Sequence, residues 1–204
     1  MQFRAWGLVG VLSAAALLAG CGKPDEAPSV GEYQIGDRLK GSAPAEDRAT
    51  GDFREIGWDD LLPPDWNPAK VFEGLDLATL DDEDPRAIEA IEEMKRAWAE
   101  APTNPALEGV RVKIPGFIVP LEWGRDMSTE FIMVPYFGAC IHTPPPPANQ
   151  ILHVFPDPPA RGLRNMDTVW VSGILEAVRA DTPMGHSGYR MRALKVEPYA
   201  EPRS

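Results

Sequence analysis

Val110-Arg-Val-Lys-Ile-Pro-Gly-Phe-Ile-Val-Pro-Leu121 alternates with a period of two, placing Val112, Ile114, Gly116 and Ile118 on one side of an extended chain. The same pattern returns in Thr168 to Val178, where Val169, Val171, Gly173 and Leu175 share a side. Each run has a glycine where alternation calls for an inward side chain, and such a glycine marks a bulge or a sharp bend. Glu130 to Phe137, Gln150 to Phe155 and Tyr189 to Val196 read as three further strands. Five strands with bent first and fourth members predict a mainly β fold, a small five-stranded OB-like barrel. Pro156 to Asp167 is short and proline-rich, so no helix is expected between the third and fourth strands.

Working outward, residues 107–204 form the expected OB-like β domain, and residues 52–106 a helical extension packed on it. In the extension, Trp58, Leu61, Leu62 and Trp66 predict a helical turn with one apolar face, stopped by Pro63-Pro64. Asp81, Asp82 and Asp84 lack the glycine and glutamate of a calcium loop and read as the acidic start of a helix. Asp84 suits its cap, Pro85 its first position, and Ala87, Ile91, Met94 and Trp98 its apolar face. The helix should stop near Ala101-Pro102.

Residues 21–51 are rich in Gly, Pro, Ser and acidic residues and read as a flexible tether. Residues 1–20 read as a signal peptide: a charged start, then an apolar run about fourteen long, too short to span a bilayer. The run ends in Leu18-Ala19-Gly20-Cys21, which resembles a bacterial lipoprotein signal and predicts lipidation at Cys21. Gly22 follows in place of an aspartate that would resemble an inner-membrane retention signal, so the expected location is the periplasmic side of the outer membrane.

With a formal charge of −11, the chain is a poor partner for nucleic acid or anionic surfaces. Of two cysteines, one is assigned to lipid, which leaves Cys140 without a partner in an oxidising compartment. A lone thiol there is expected to be buried, metal-bound or used between molecules. Cys140 and His142 lie ahead of Pro144 to Pro147, a stiff connection between two strand-like runs. If Cys140 pairs with His153 across a hairpin, His142 faces Ile151 and all four side chains share a face. Cys140, His142 and His153 then converge on a soft or borderline cation such as zinc or copper, with His186 or Asp157 as further candidates. The competing readings are a buried thiol with no ligand and a Cys/His thiol enzyme. Residues i and i+2 on a strand stand nearly 7 Å apart, which disfavours the enzyme. Arg179, Arg190, Arg192 and Lys195 read as a solvated barrel face.

Gly116-Phe-Ile-Val-Pro-Leu-Glu122, Trp58-Asp-Asp-Leu-Leu-Pro63 and Pro135 to Gln150 together resemble a family of Gram-negative lipoproteins, a domain of unknown function marked by PYFGACIHxPPPPxNQ. The likeness covers about 56–199. It implies no activity of its own. The genes of such proteins stand beside ABC-type exporters and zinc-responsive periplasmic proteins, which implies zinc handling beside ABC transporter subunits. The alternative that stays open is a ligand-free interaction module.

Overall fold

A computed structural model describes residues 33–39, 49–50, 52–67, 70, 83–122 and 126–200. The signal peptide and Cys21 lie outside them, as do Asp81 and Asp82. In chain order the elements are β1 (Ala49–Thr50), β2 (Phe53–Glu55), α1 (Pro85–Ala99), β3 (Arg111–Pro120), β4 (Met127–Ser128) and β5 (Phe131–Val134). After them come β6 (Leu152–Pro156), β7 (Ala160–Arg161), β8 (Thr168–Glu176), β9 (Ala180–Thr182), β10 (Gly185–Ser187) and β11 (Tyr189–Pro198).

The barrel runs β3-β5-β6-β11-β8 and closes because β8 also pairs with β3. Among these five strands only β6 and β11 are parallel, with Arg190 beside His153. Counting barrel strands alone, the order 1-2-3-5-4-1 is that of the expected OB-like barrel. No helix joins β6 to β8; the two-residue β7 lies there instead, paired with β4.

Both strand glycines sit where backbone and side chains crowd. A Cβ on Gly116 would stand 2.6 Å from the Met133 Cε and 2.8 Å from the Trp58 Cζ2. One on Gly173 would collide with the Arg192 carbonyl oxygen and lie 2.9 Å from the Ala193 Cα, next to the bulge between Ala193 and Lys195. These positions let β3 and β8 bend and let neighbouring chain approach.

Inside the barrel Val112, Ile114, Ile118, Phe131, Met133, Leu152, Val154, Val171 and Leu175 are fully buried. Trp58 joins them with no exposed surface and donates its indole N–H to the Pro115 carbonyl at 2.6 Å. The short 3-10 turn Trp58–Leu61 thus extends the barrel core, and β2 adds a parallel strand beside β3.

Helix α1 begins as the sequence predicts. The Asp84 carboxylate accepts from the Arg86 N–H, and Pro85 takes the first position. Its inward face differs from the expected one: Ala87 and Ala90 are buried, whereas Ile91 is 41% exposed and Ile88 50%. Small side chains let the helix lie close, so the burial is carried by alanines one turn apart and not by the larger residues of the pattern.

The tether reading of 21–51 also needs correcting. Tyr33–Leu39 lies against the barrel: Gly36 N–H donates to the Phe137 carbonyl and Phe137 N–H to the Asp37 carbonyl, both at 2.9 Å. The Tyr33 ring stands edge-on to Phe117 and stacks with Phe137, and Leu39 is 4% exposed. Two large apolar side chains in an otherwise polar stretch are enough to dock it.

Candidate functional site

Strand β5 ends at Val134, so the expected strand to Phe137 is shorter than the sequence suggests. Pro135 cannot donate to a ladder, and the chain then turns. Gly138 takes φ +86°, and its carbonyl gathers the N–H groups of Ile141, His142 and Thr143 at 3.3, 2.8 and 3.2 Å. The turn leaves Cys140 at φ +64°, a left-handed conformation that a residue with a side chain seldom takes. Ala139 and Thr143 form an isolated bridge, and Gly138 N–H points to the Met166 sulfur at 3.3 Å.

The prolines divide into two pairs. Pro144 and Pro145 are exposed, while Pro146 is buried and Pro147 half-buried. The following 3-10 turn, Ala148–Gln150, is fully buried and binds the extension. Asn149 Nδ2 donates to the Pro102 carbonyl at 2.9 Å, and Gln150 Nε2 to the Trp58 carbonyl at 2.8 Å. Gly188 N–H donates to the Ala148 carbonyl at 2.6 Å. Tyr189 completes the brace: its hydroxyl donates to the Leu61 carbonyl at 2.7 Å and accepts from the Asn104 N–H at 2.5 Å. Burial pushes that phenol up to about 12, so it stays protonated and keeps donating.

Sequence reasoning missed Asn149, Gln150, Asn104 and Tyr189. A signal was present, because a proline run removes backbone donors and nearby carbonyls then need side-chain amides. A cavity of about 230 Å³ lies beside this brace, lined by residues that include Glu100, Thr103 and Arg179. It is smaller than the roughly 300–1,000 Å³ of pockets that enclose drug-sized ligands.

The predicted metal residues do not assemble as the assumed register requires. Opposite His153 stands Ile132, not Cys140, because the hairpin closes between β5 and β6 and the Cys140 turn lies outside it. His142 is exposed. His186 sits on the β9–β10 hairpin with its Nδ1 2.6 Å from an Asp181 carboxylate oxygen. Asp157, the other further candidate, is exposed and its N–H donates to the Ala193 carbonyl. Among the described residues no group of three or more His, Cys, Asp or Glu could hold a metal ion.

Cys140 is half-buried in the cluster of Phe117, Ile132, Val134 and Ile151, and burial pushes its thiol up to about 12. That is the reverse of the depressed value a thiol enzyme needs. At pH 8 the thiolate is scarce, so alkylation of Cys140 in the folded protein should run about a thousand-fold slower than that of a free thiol. Timed iodoacetamide labelling, read by intact mass with and without denaturant, checks it.

His153 is 8% exposed, with Nε2 3.2 Å from Glu130 Oε2 and its ring 4.4 Å from Phe155. Burial lowers its pKa below 6.5, the Glu130 contact works upward against this, and the Arg190 charge adds to the lowering. A neutral imidazole is therefore preferred in the fold. Its contribution to stability is complete above the unfolded value near 6.5 and is lost as pH falls through the lower folded value. Thermal unfolding should show Tm falling between pH 6.5 and 5, with a smaller fall in His153→Gln, which keeps a donor toward Glu130.

The fold and this segment define an OB-like barrel whose exposed proline turn is held by buried amide braces. By sequence, the chain belongs to the DUF3299 family, described as a protein of unknown function, whose model matches residues 58–198. Among solved structures, the chain is similar to the crystal structure of a DUF3299 family protein from Pseudomonas aeruginosa PAO1. The two share 36% identity with a TM-score of 0.58, over 75% of this chain and all of that one. No curated protein matches the chain.

Proposed function

We propose that this protein is a lipid-anchored, non-enzymatic interaction module of the cell envelope, facing the periplasm, that docks on a protein partner through Pro144 and Pro145. One observation carries the reading: the family segment buries Asn149 and Gln150 as braces and leaves His142, Pro144 and Pro145 exposed. Prolines held in an extended turn lose little entropy on binding and fit aromatic-lined grooves. The anchor is Cys21, and Gly22 after it favours the outer membrane. Zinc handling through Cys140, His142 and His153 is the weaker reading, since no ligand group is found among the described residues.

The ABC-type transporter subunits implied by the resemblance are the first partners to try. Replacing Pro144 and Pro145 with serine in the full chain should cut co-purification of such a subunit at least tenfold. Tm should stay within about 1–2 °C, since both residues are exposed surface positions. Equal recovery of the subunit with wild type and variant would sink docking through the prolines.

A further inference from the structure

We infer that the proline turn is presented to the membrane that carries the anchor, and that its occupant is a protein embedded in that same membrane. The inference rests on the lipid-anchor reading and adds a distance to it. The tether expected from the sequence would let the barrel roam: 32 residues separate Cys21 from Phe53, a span of about 110 Å when extended. The docked Tyr33–Leu39 segment shortens it. Only 12 residues run from Cys21 to Tyr33, a reach of at most about 40 Å and a typical separation of about 20 Å.

This segment also docks at a telling place. Its backbone bonds go to Phe137, Arg38 bridges to Tyr136, and Ile35 leans on Gly138, so all hold the head of the family segment. Arg38 stands 3.8 Å from Asp59 and so also reaches the Trp58 turn. A barrel of about 100 residues is roughly 30 Å across. A leash of similar length, fixed beside Phe137, turns the Cys140–Pro147 turn toward the bilayer. Lipid itself is a poor occupant, because the chain carries −11 and anionic headgroups repel it. A proline-reading, aromatic surface on an integral membrane protein fits the exposed Pro144–Pro145.

The test is photo-cross-linking in intact cells, with a photoreactive residue replacing Pro144 in the full chain. A 30-residue Gly/Ser spacer is inserted either after Ser29 or after Gly41. The spacer after Ser29 should reduce the adduct with an integral protein of the anchor's membrane at least fivefold. The spacer after Gly41 should leave it unchanged, because the docked segment bypasses that stretch. Undocking the segment with Tyr33→Ala/Leu39→Asp should make the second spacer as harmful as the first.

Equal effects of both spacers in the otherwise native chain, or of neither, overturn the inference. The same chain in phosphatidylethanolamine/phosphatidylglycerol vesicles, with a dye at position 144, should resist quenching by nitroxide-labelled acyl chains. Strong quenching would make lipid the occupant and also overturn it. Mass spectrometry of Cys21 separates the two failures: an unacylated Cys21 removes the anchor reading and this inference together. An acylated Cys21 with indifferent spacers removes only the leash.

Discussion

Trp58→Ala should cost about 3–5 kcal/mol, the range for removing a large aromatic from a packed core. Trp58 has no exposed surface, and its indole lies where a Cβ on Gly116 would otherwise stand. Truncation leaves the Pro115 carbonyl without its 2.6 Å donor and opens a cavity at the end of the barrel. It also loosens the backbone to which Gln150 donates. For a domain of about 150 residues, 4 kcal/mol corresponds to a Tm drop of about 12 °C. Denaturant unfolding checks it, and a loss below about 1 kcal/mol would mean that the Trp58 turn is not part of the core.

Gly173→Ala should be nearly as damaging, although it adds one methyl group. The new Cβ would strike the Arg192 carbonyl oxygen and crowd the Ala193 Cα, and both are backbone. A flexible side chain could move aside, but a paired strand cannot without giving up the β8–β11 ladder at its bulge. A cost of about 3 kcal/mol is expected, at the upper end for overpacking. Gly116→Ala should cost less, because the Met133 Cε it meets is the far end of a mobile chain, though Trp58 also stands close. Equal stabilities for Gly173→Ala and wild type, by chemical denaturation, would contradict the close approach of β11.

What the sequence disclosed depended on whether the signal was local. The two glycine-broken runs predict the bent strands β3 and β8, because alternation and a missing side chain are both local features. The start of α1 is equally readable, since Asp84 and Pro85 act within one turn. Its inward face is not, because Ala87 and Ala90 are chosen by how closely the helix can approach its neighbours. The register around the proline turn is likewise hidden. A long connection between β5 and β6 has no short-turn rule to fix pairing, and the Gly138 carbonyl draws the Cys140 turn out of the strand. Hence Cys140 and His153 share a hairpin in sequence but not a rung of it. The docked Tyr33–Leu39 segment was invisible for a different reason: its composition is that of a linker, and only the surface of Phe117 and Phe137 gives it a place.

These observations make the family segment a brace with an exposed proline tip, where the spacing of Cys140, His142 and His153 had suggested a metal centre. Titrating the reduced, folded full-length chain with Zn²⁺ at pH 7 by calorimetry tests that distinction most directly. The account predicts no saturable binding that depends on Cys140. A one-to-one isotherm at micromolar affinity, lost in both Cys140→Ser and His142→Ala, would contradict it.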